Sequence, residues 1–300
     1  MNNIIVIGAG VAGLTASIYL GRSGLKVSVI AGDVPGGQLT KTSFVENYPG
    51  FAKPILGVDL MMQMMEQASR FGAEIIYDTV TSVTIERIVT LASGTAVAPD
   101  AILIATGCSH NKLGIPGEHE FTNKGVSWCA TCDGPLYRNK KVAVVGGGNA
   151  AVMETIFLSN FASEVLLIHR RDTLRADKSE QEKIFSNSKI KCIWNSEVIN
   201  IQGDSKLKSI TLRNKHDRCT DMEIDGLFIA IGMHPATDFV KEVVRLDNAG
   251  YVIASETETS VPGIFVAGDV VSGSLKQAIY AAGQGALAAR AIERWLGVRL

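Results

Sequence analysis

Cys129 and Cys132 are separated by two residues in the run Trp128-Cys129-Ala130-Thr131-Cys132-Asp133-Gly134. A pair at this spacing can cycle between dithiol and disulfide, can supply half of a zinc site, or can arise by coincidence. Zinc needs two further ligands, and the remaining cysteines and the five histidines are scattered without a partner motif, so no metal is expected. Redox work needs a partly ionised thiol, which a helix start or polar neighbours provide by lowering the pKa from about 8.5. Asp133 suits the reverse step, in which a carboxylic acid whose pKa is raised by partial burial protonates a leaving thiolate. The alternative is that Asp133-Gly134-Pro135 merely ends a turn.

The pair lies between two nucleotide fingerprints. Ile4 to Ile7 reads as a strand, Gly8-x-Gly10-x-x-Gly13 as a tight turn, Leu14 to Leu20 as a helix and Lys26 to Ile30 as the next strand. Such a turn lets backbone approach a pyrophosphate at a helix start, although an ordinary glycine-rich turn is the plainer alternative. The acid that would hold a ribose is expected about twenty residues on, and Asp33 is the nearest candidate. The plan repeats from Lys141: a strand to Val145, then Gly146-Gly147-Gly148-Asn149-Ala150-Ala151, a helix through about Asn160 and a strand from Glu164 to Ile168. Here His169-Arg170-Arg171 and Arg175 stand where an NAD site would place a carboxylate, which favours the 2′-phosphate of NADPH. A solvated basic strand end or a nucleic-acid patch is the alternative, but no aromatic platform accompanies it. Near the C-terminus, Gly263 to Asp269 reads as a strand and turn, for which a purely structural role is the alternative, though it would leave the ligand of the first site unexplained. Its Asp269 could accept bonds from a ribityl chain, which suggests a flavin in the first site.

These sites need elements to carry them. At 300 residues, with 46% hydrophobic residues and 30 glycines, the chain suits a packed α/β protein of two domains. The net charge of −1 creates no field favouring nucleic acid or an anionic membrane. No basic leader or long uncharged apolar run points to export or a membrane span, and the cysteine usage fits the reducing cytoplasm. Cys108, Cys192 and Cys219 read as small buried or part-buried side chains. Strands are also expected at Ala101 to Ala105, Gly226 to Ile231 and Tyr251 to Ala254, with a closing helix from about Lys276 to Leu296. Glycine- and proline-marked crossings at His110 to Glu118 and Gly232 to Pro235 are hinge candidates. The expected layout is a first nucleotide domain at 1–112 and 238–300, with a second, 113–237, inserted into it.

Taken in order, these motifs resemble the low-molecular-weight, bacterial-type thioredoxin reductases over essentially the whole chain. The resemblance rests on Gly8 to Gly13, Gly36-Gly37-Gln38-Leu39, Glu46 to Gly50, Ala105-Thr106-Gly107, Cys129 to Gly134, Gly146 to Ala151, His169 to Arg171 with Arg175-Ala176, and Gly268-Asp269 with Gln277-Ala278. It implies FAD in the discontinuous domain, NADPH in the inserted one, and a homodimer. It also implies that Cys132 faces the flavin, Cys129 attacks the partner's disulfide and Asp133 is the acid/base. Gly8, Gly10, Ala12, Gly13, Gly37, Gln38, Leu39, Asn47, Thr106, Gly107, Gly268, Asp269, Lys276, Gln277 and Ala278 fall to FAD. Gly146, Gly148, Asn149, Ala150, Ala151, His169, Arg170, Arg171 and Arg175 fall to NADPH. Lys276 stands where members often carry arginine, Met153 where many carry an acid, and Val34 where some place the acid of the adenosine side. The expected activity is electron transfer from NADPH through FAD and the dithiol to thioredoxin or a similar small protein disulfide. The inserted domain is expected to swing between two arrangements during the cycle. A flavoprotein serving a ferredoxin- or flavodoxin-like carrier would not need the dithiol. A dithiol oxidase using oxygen would not need the arginines. A nucleotide-binding regulator would show no turnover.

Overall fold

The computed structural model describes residues 2–32, 35–42 and 44–298, so the positions of Asp33 and Val34 lie outside the described residues. The helices are α1 (Val11–Arg22), α2 (Gly57–Arg70), α3 (Ala130–Asp133), α4 (Asn149–Leu158), α5 (Lys178–Ser186) and α6 (Ala278–Trp295). The chain divides into two compact units, Met1–Ser109 with His234–Leu300, and His110–Met233.

In the first unit the β-branched run Asn3–Ile7 is the centre of a five-stranded sheet, with the order 264–266, 101–104, 3–7, 26–30, 74–76. Every pairing in this sheet is parallel. Parallel strands buried on both faces need apolar side chains at odd and even positions alike. Ile4 and Val6 accordingly join Leu14, Leu20, Met61 and Ile292 on the helical face. Ile5 and Ile7 face the other way and pack with Val80, Val83, Val89 and Leu91 of a three-stranded antiparallel sheet.

The second unit has the same two layers. Its parallel sheet runs 126–127, 226–229, 141–145, 164–168, 190–193. Val142 and Val144 meet α3, α4 and α5 through Ala130, Val152 and Ile184. Ala143 and Val145 meet the antiparallel strands Ser196–Gly203 and Leu207–Asn214. The α/β class and the two Rossmann-like sheets agree with the sequence reading.

Some local expectations change. No strand forms over Tyr251 to Ala254; Val252 makes isolated bridges to Leu246 and Val271. The closing helix begins at Ala278 because Lys276 is left-handed, with φ +60°, which an α-helix cannot include. Helix α4 stops at Leu158, two residues before the expected end. Cys219 is exposed, not buried or part-buried, because it starts the edge strand Cys219–Glu223 of the antiparallel sheet.

Candidate active site

Position along the second sheet explains where the dithiol sits. The edge strand Val126–Ser127 runs parallel to Gly226–Ile229, with Ser127 opposite Phe228 and Phe228 opposite Val144. Two residues further on, the chain reaches Cys129 at the carboxyl edge of the sheet, the edge on which Gly146 opens the glycine-rich turn. Ligands of open parallel sheets bind along that edge.

Cys129 and Cys132 are joined as a disulfide, with Cα atoms 5.3 Å apart. Cys129 is the N-cap of α3, and its Sγ accepts the Cys132 N–H at 3.2 Å. A donor aimed at sulfur favours the thiolate once the bond is reduced. Asp133 closes the short helix, and its N–H donates to the Cys129 carbonyl at 3.1 Å. Burial pushes its carboxyl above the usual range, while a bond from the Ser127 hydroxyl pulls it back. Ser127 Oγ donates to Asp133 Oδ2 at 2.5 Å and accepts the Cys129 N–H at 3.1 Å. Sequence reading missed Ser127. Its only signal was a hydroxyl at the end of an apolar edge strand.

The second nucleotide turn fits a phosphate. Gly148 caps α4 without a side-chain cap, and a Cβ there would meet nothing within 4 Å. The rest of the turn is tightly fixed: a Cβ at Gly146 would lie 2.4 Å from the Ala230 carbonyl, and one at Gly147 would lie 2.2 Å from the buried His169 ring. Burial first, then Arg175, lowers the His169 pKa. Asn149 is engaged with Asp177 through two hydrogen bonds of 3.1 and 2.8 Å, and the Arg175 N–H reaches the Gly147 carbonyl at 2.7 Å. These contacts bring the arginine loop to the turn. Arg170, Arg171 and Arg175 are exposed, and among the described residues none of the three guanidinium groups is in an ion pair. Three such cations beside an uncapped helix start suit a phosphorylated ribose.

The first unit gathers its predicted residues in the same way. A Cβ at Gly8, where φ is +112°, would lie 2.3 Å from the Ala105 carbonyl, and one at Gly13 would lie 2.0 Å from the Gly8 carbonyl. Gly10, the uncapped start of α1, has no atom within 4 Å of its would-be Cβ. A Cβ at Gly268 would lie 2.9 Å from Ala12, so the C-terminal turn closes on the first one, and its N–H is held by the buried Gln284 at 2.8 Å. Gln38 donates to the Cys108 carbonyl at 2.9 Å, Asn47 to Gln277 at 3.1 Å, and Thr106 to the Ala236 carbonyl at 2.7 Å.

Asp269 is the informative residue there. Its Oδ1 is buried without a hydrogen-bond partner, and burial raises its carboxyl against the opposing charge of Lys276. Lys276 is fixed by the Asp269 and Val271 carbonyls and lies 4.1 Å over the Tyr251 ring. A buried carboxylate oxygen lacking a protein donor calls for a hydroxyl-bearing ligand, as the ribityl chain of FAD is.

The pyridine nucleotide-disulphide oxidoreductase family model matches residues 2–285. The chain is 47% identical to the thioredoxin reductase of Streptomyces coelicolor over 99% of this chain and 94% of that protein. The solved thioredoxin reductase of Streptococcus pyogenes superposes with a TM-score of 0.94 at 39% identity, covering 100% of this chain and 99% of the other. That of Giardia duodenalis gives a TM-score of 0.94 at 36% identity, covering 99% and 100%.

Proposed function

The chain belongs to the pyridine nucleotide-disulphide oxidoreductase family, and we propose that it is an NADPH-dependent thioredoxin-disulfide reductase. The observation that carries this reading is the Cys129–Cys132 disulfide at the carboxyl edge of the second sheet, with the part-buried Asp133 closing the same turn. Identities above 40% to thioredoxin reductases over nearly the full chain support it.

Gly8, Gly10, Ala12, Gly13, Gly37, Gln38, Leu39, Asn47, Thr106, Gly107, Gly268, Asp269, Lys276, Gln277 and Ala278 hold FAD. Gly146, Gly148, Asn149, Ala150, Ala151, His169, Arg170, Arg171 and Arg175 hold NADPH. When bound, FAD supplies the means to take a hydride from NADPH and deliver an electron pair to the disulfide. Cys132 would take that pair and a proton as the Cys129–Cys132 bond breaks, leaving Cys129 as the attacking thiolate. Cys129 Sγ bonds to one sulfur of the partner disulfide as the partner's S–S bond breaks, and Asp133 gives its proton to the departing partner thiolate. Cys132 then gives its proton to Asp133 and its Sγ attacks Cys129 Sγ, which re-forms the disulfide and expels the second partner sulfur as a thiolate that takes this proton from Asp133. One NADPH and one proton are consumed for each partner disulfide reduced.

The partner is thioredoxin or a similar small protein disulfide. The protein acts as a homodimer, as its resemblance to the thioredoxin reductases implies. Among the described residues no helix is long and apolar enough to cross a membrane. A working dithiol fits the reducing cytoplasm. The test is NADPH oxidation with oxidised thioredoxin, in which Cys129→Ser and Cys132→Ser should each lose roughly 10³-fold or more. Wild-type rates in both variants, or a purified protein unable to take up flavin, would refute the assignment.

A further inference from the structure

Resting on the reading of Asp133 as the acid/base, we propose that Ser127 is a positioning residue of the dithiol reaction, its hydroxyl tying the Asp133 carboxyl to the backbone of Cys129. Ser127 is 4% exposed, so water does not compete for its hydroxyl. A hydroxyl has one proton to donate and two lone pairs to accept with. The fixed Cys129 N–H occupies one lone pair at 3.1 Å, and the one proton points to Asp133 Oδ2 at 2.5 Å. The Asp133 N–H returns to the Cys129 carbonyl at 3.1 Å and closes a ring that joins the proton donor to the attacking cysteine. When Asp133 takes up a proton, the same hydroxyl donates only to a neutral carboxyl, a weaker bond, so its donation favours the carboxylate.

A purely packing role would need none of this polarity. Burial drives the Asp133 carboxyl upward, and the Ser127 hydroxyl is the group that lowers it. Besides the two cysteines themselves, whose thiolates are followed by their own absorbance, and His110 against the Trp128 ring, the titratable groups on the helices and turn packed here are Tyr137 and Glu154. Tyr137 follows Gly134 in a short 3-10 turn and is pushed up to about 12, chiefly by burial and then by the Asp133 and Asp225 charges. Its phenol therefore stays neutral across the working range. Glu154 lies on α4, which meets α3 around Ala130, and burial raises it to about 7. It titrates inside the pH range scanned, so the test is run in both wild-type and Glu154→Gln backgrounds.

The experiment measures the pH dependence, from 5 to 9, of kcat/KM for oxidised thioredoxin with the FAD-loaded enzyme, beside the 240 nm thiolate absorbance of the NADPH-reduced protein. A hydrogen bond to a charged group is worth about 1.5–3 kcal/mol, so Ser127→Ala should move the limb belonging to Asp133 upward by roughly one to two pH units. Ser127→Thr should restore the wild-type limb, and Ser127→Val, which has the shape of threonine without the hydroxyl, should reproduce the alanine shift. The threonine–valine pair decides the matter should alanine fail to fold. Asp133→Asn should abolish the limb, and adding Ser127→Ala to it should shift nothing further. If Asp133→Asn leaves rate and limb unchanged, the acid/base reading fails and this inference with it. If Asp133→Asn abolishes the limb while Ser127→Ala and Ser127→Val keep it at the wild-type pH, the acid/base reading stands and Ser127 has no such role.

Discussion

Glu154 offers a pH-dependent test of the packing in the second unit. Its Oε2 lies buried on α4 without a hydrogen-bond partner, and burial raises the carboxyl from 4.5 to about 7. The native state therefore keeps a proton that the unfolded chain releases between these values. Stability falls as pH rises through that window and stays reduced above it. At about 1.36 kcal/mol per unit of pKa, the difference amounts to about 3 kcal/mol above pH 7. Glu154→Gln replaces the carboxyl with a neutral group of the same shape. The variant should be more stable than wild type by up to about 3 kcal/mol at pH 8, by less at pH 6, and by almost nothing below the unfolded value. Urea unfolding of this unit, followed through Trp128 and Trp194 at several pH values, reads the difference directly. A gap that does not change with pH, or a variant less stable at pH 8, would show that the carboxyl is not held protonated by burial.

Two further outcomes concern the nucleotide turns. Gly13→Ala would set a methyl 2.0 Å from the Gly8 carbonyl and 3.1 Å from Val6 Cγ1, so the turn must open. Bound flavin per chain should fall at least roughly tenfold by absorbance, and stoichiometric flavin would refute the close-approach argument. Replacing Arg170 and Arg171 together by alanine should raise KM for NADPH about 10- to 100-fold with little change in kcat and leave NADH nearly unaffected. An unchanged preference between the two nucleotides would remove these arginines from the phosphate site.

The features legible in the sequence were those that physical necessity dictates. Gly8, Gly13 and Gly146 were legible because each close approach excludes a side chain, and no other residue type fits. The strands 3–7 and 141–145 were legible because a strand covered on both faces must be apolar throughout. The supporting contacts were not. Gln284 reaches back from α6 to the Gly268 N–H, and Lys276 settles over Tyr251. Both depend on how a turn brings distant positions together, and one polar residue on a helix carries no mark of its partner. The expected strand at Tyr251 failed for a related reason. Its β-rich composition is used to bridge Leu246 and Val271 and to floor the lysine, not to extend a ladder.

The two sheets also explain why the dithiol needs local bracing. In the first unit the strand beside 101–104 is 264–266, which enters after the rest of the sheet and ends at Gly268-Asp269. In the second the matching strand is Val126–Ser127, which enters before it and ends at Cys129. The redox pair thus occupies the place that the Asp269 turn occupies in the other copy. A strand of two residues contributes little ladder to hold the cysteine turn beyond it, and α3 spans a single turn. Neither element is long enough to be stable by its own backbone bonds. The bonds from Ser127 to Asp133 and from Cys129 to Ser127 supply the missing constraint, so the group that sets the proton is also the group that keeps the sulfur in place.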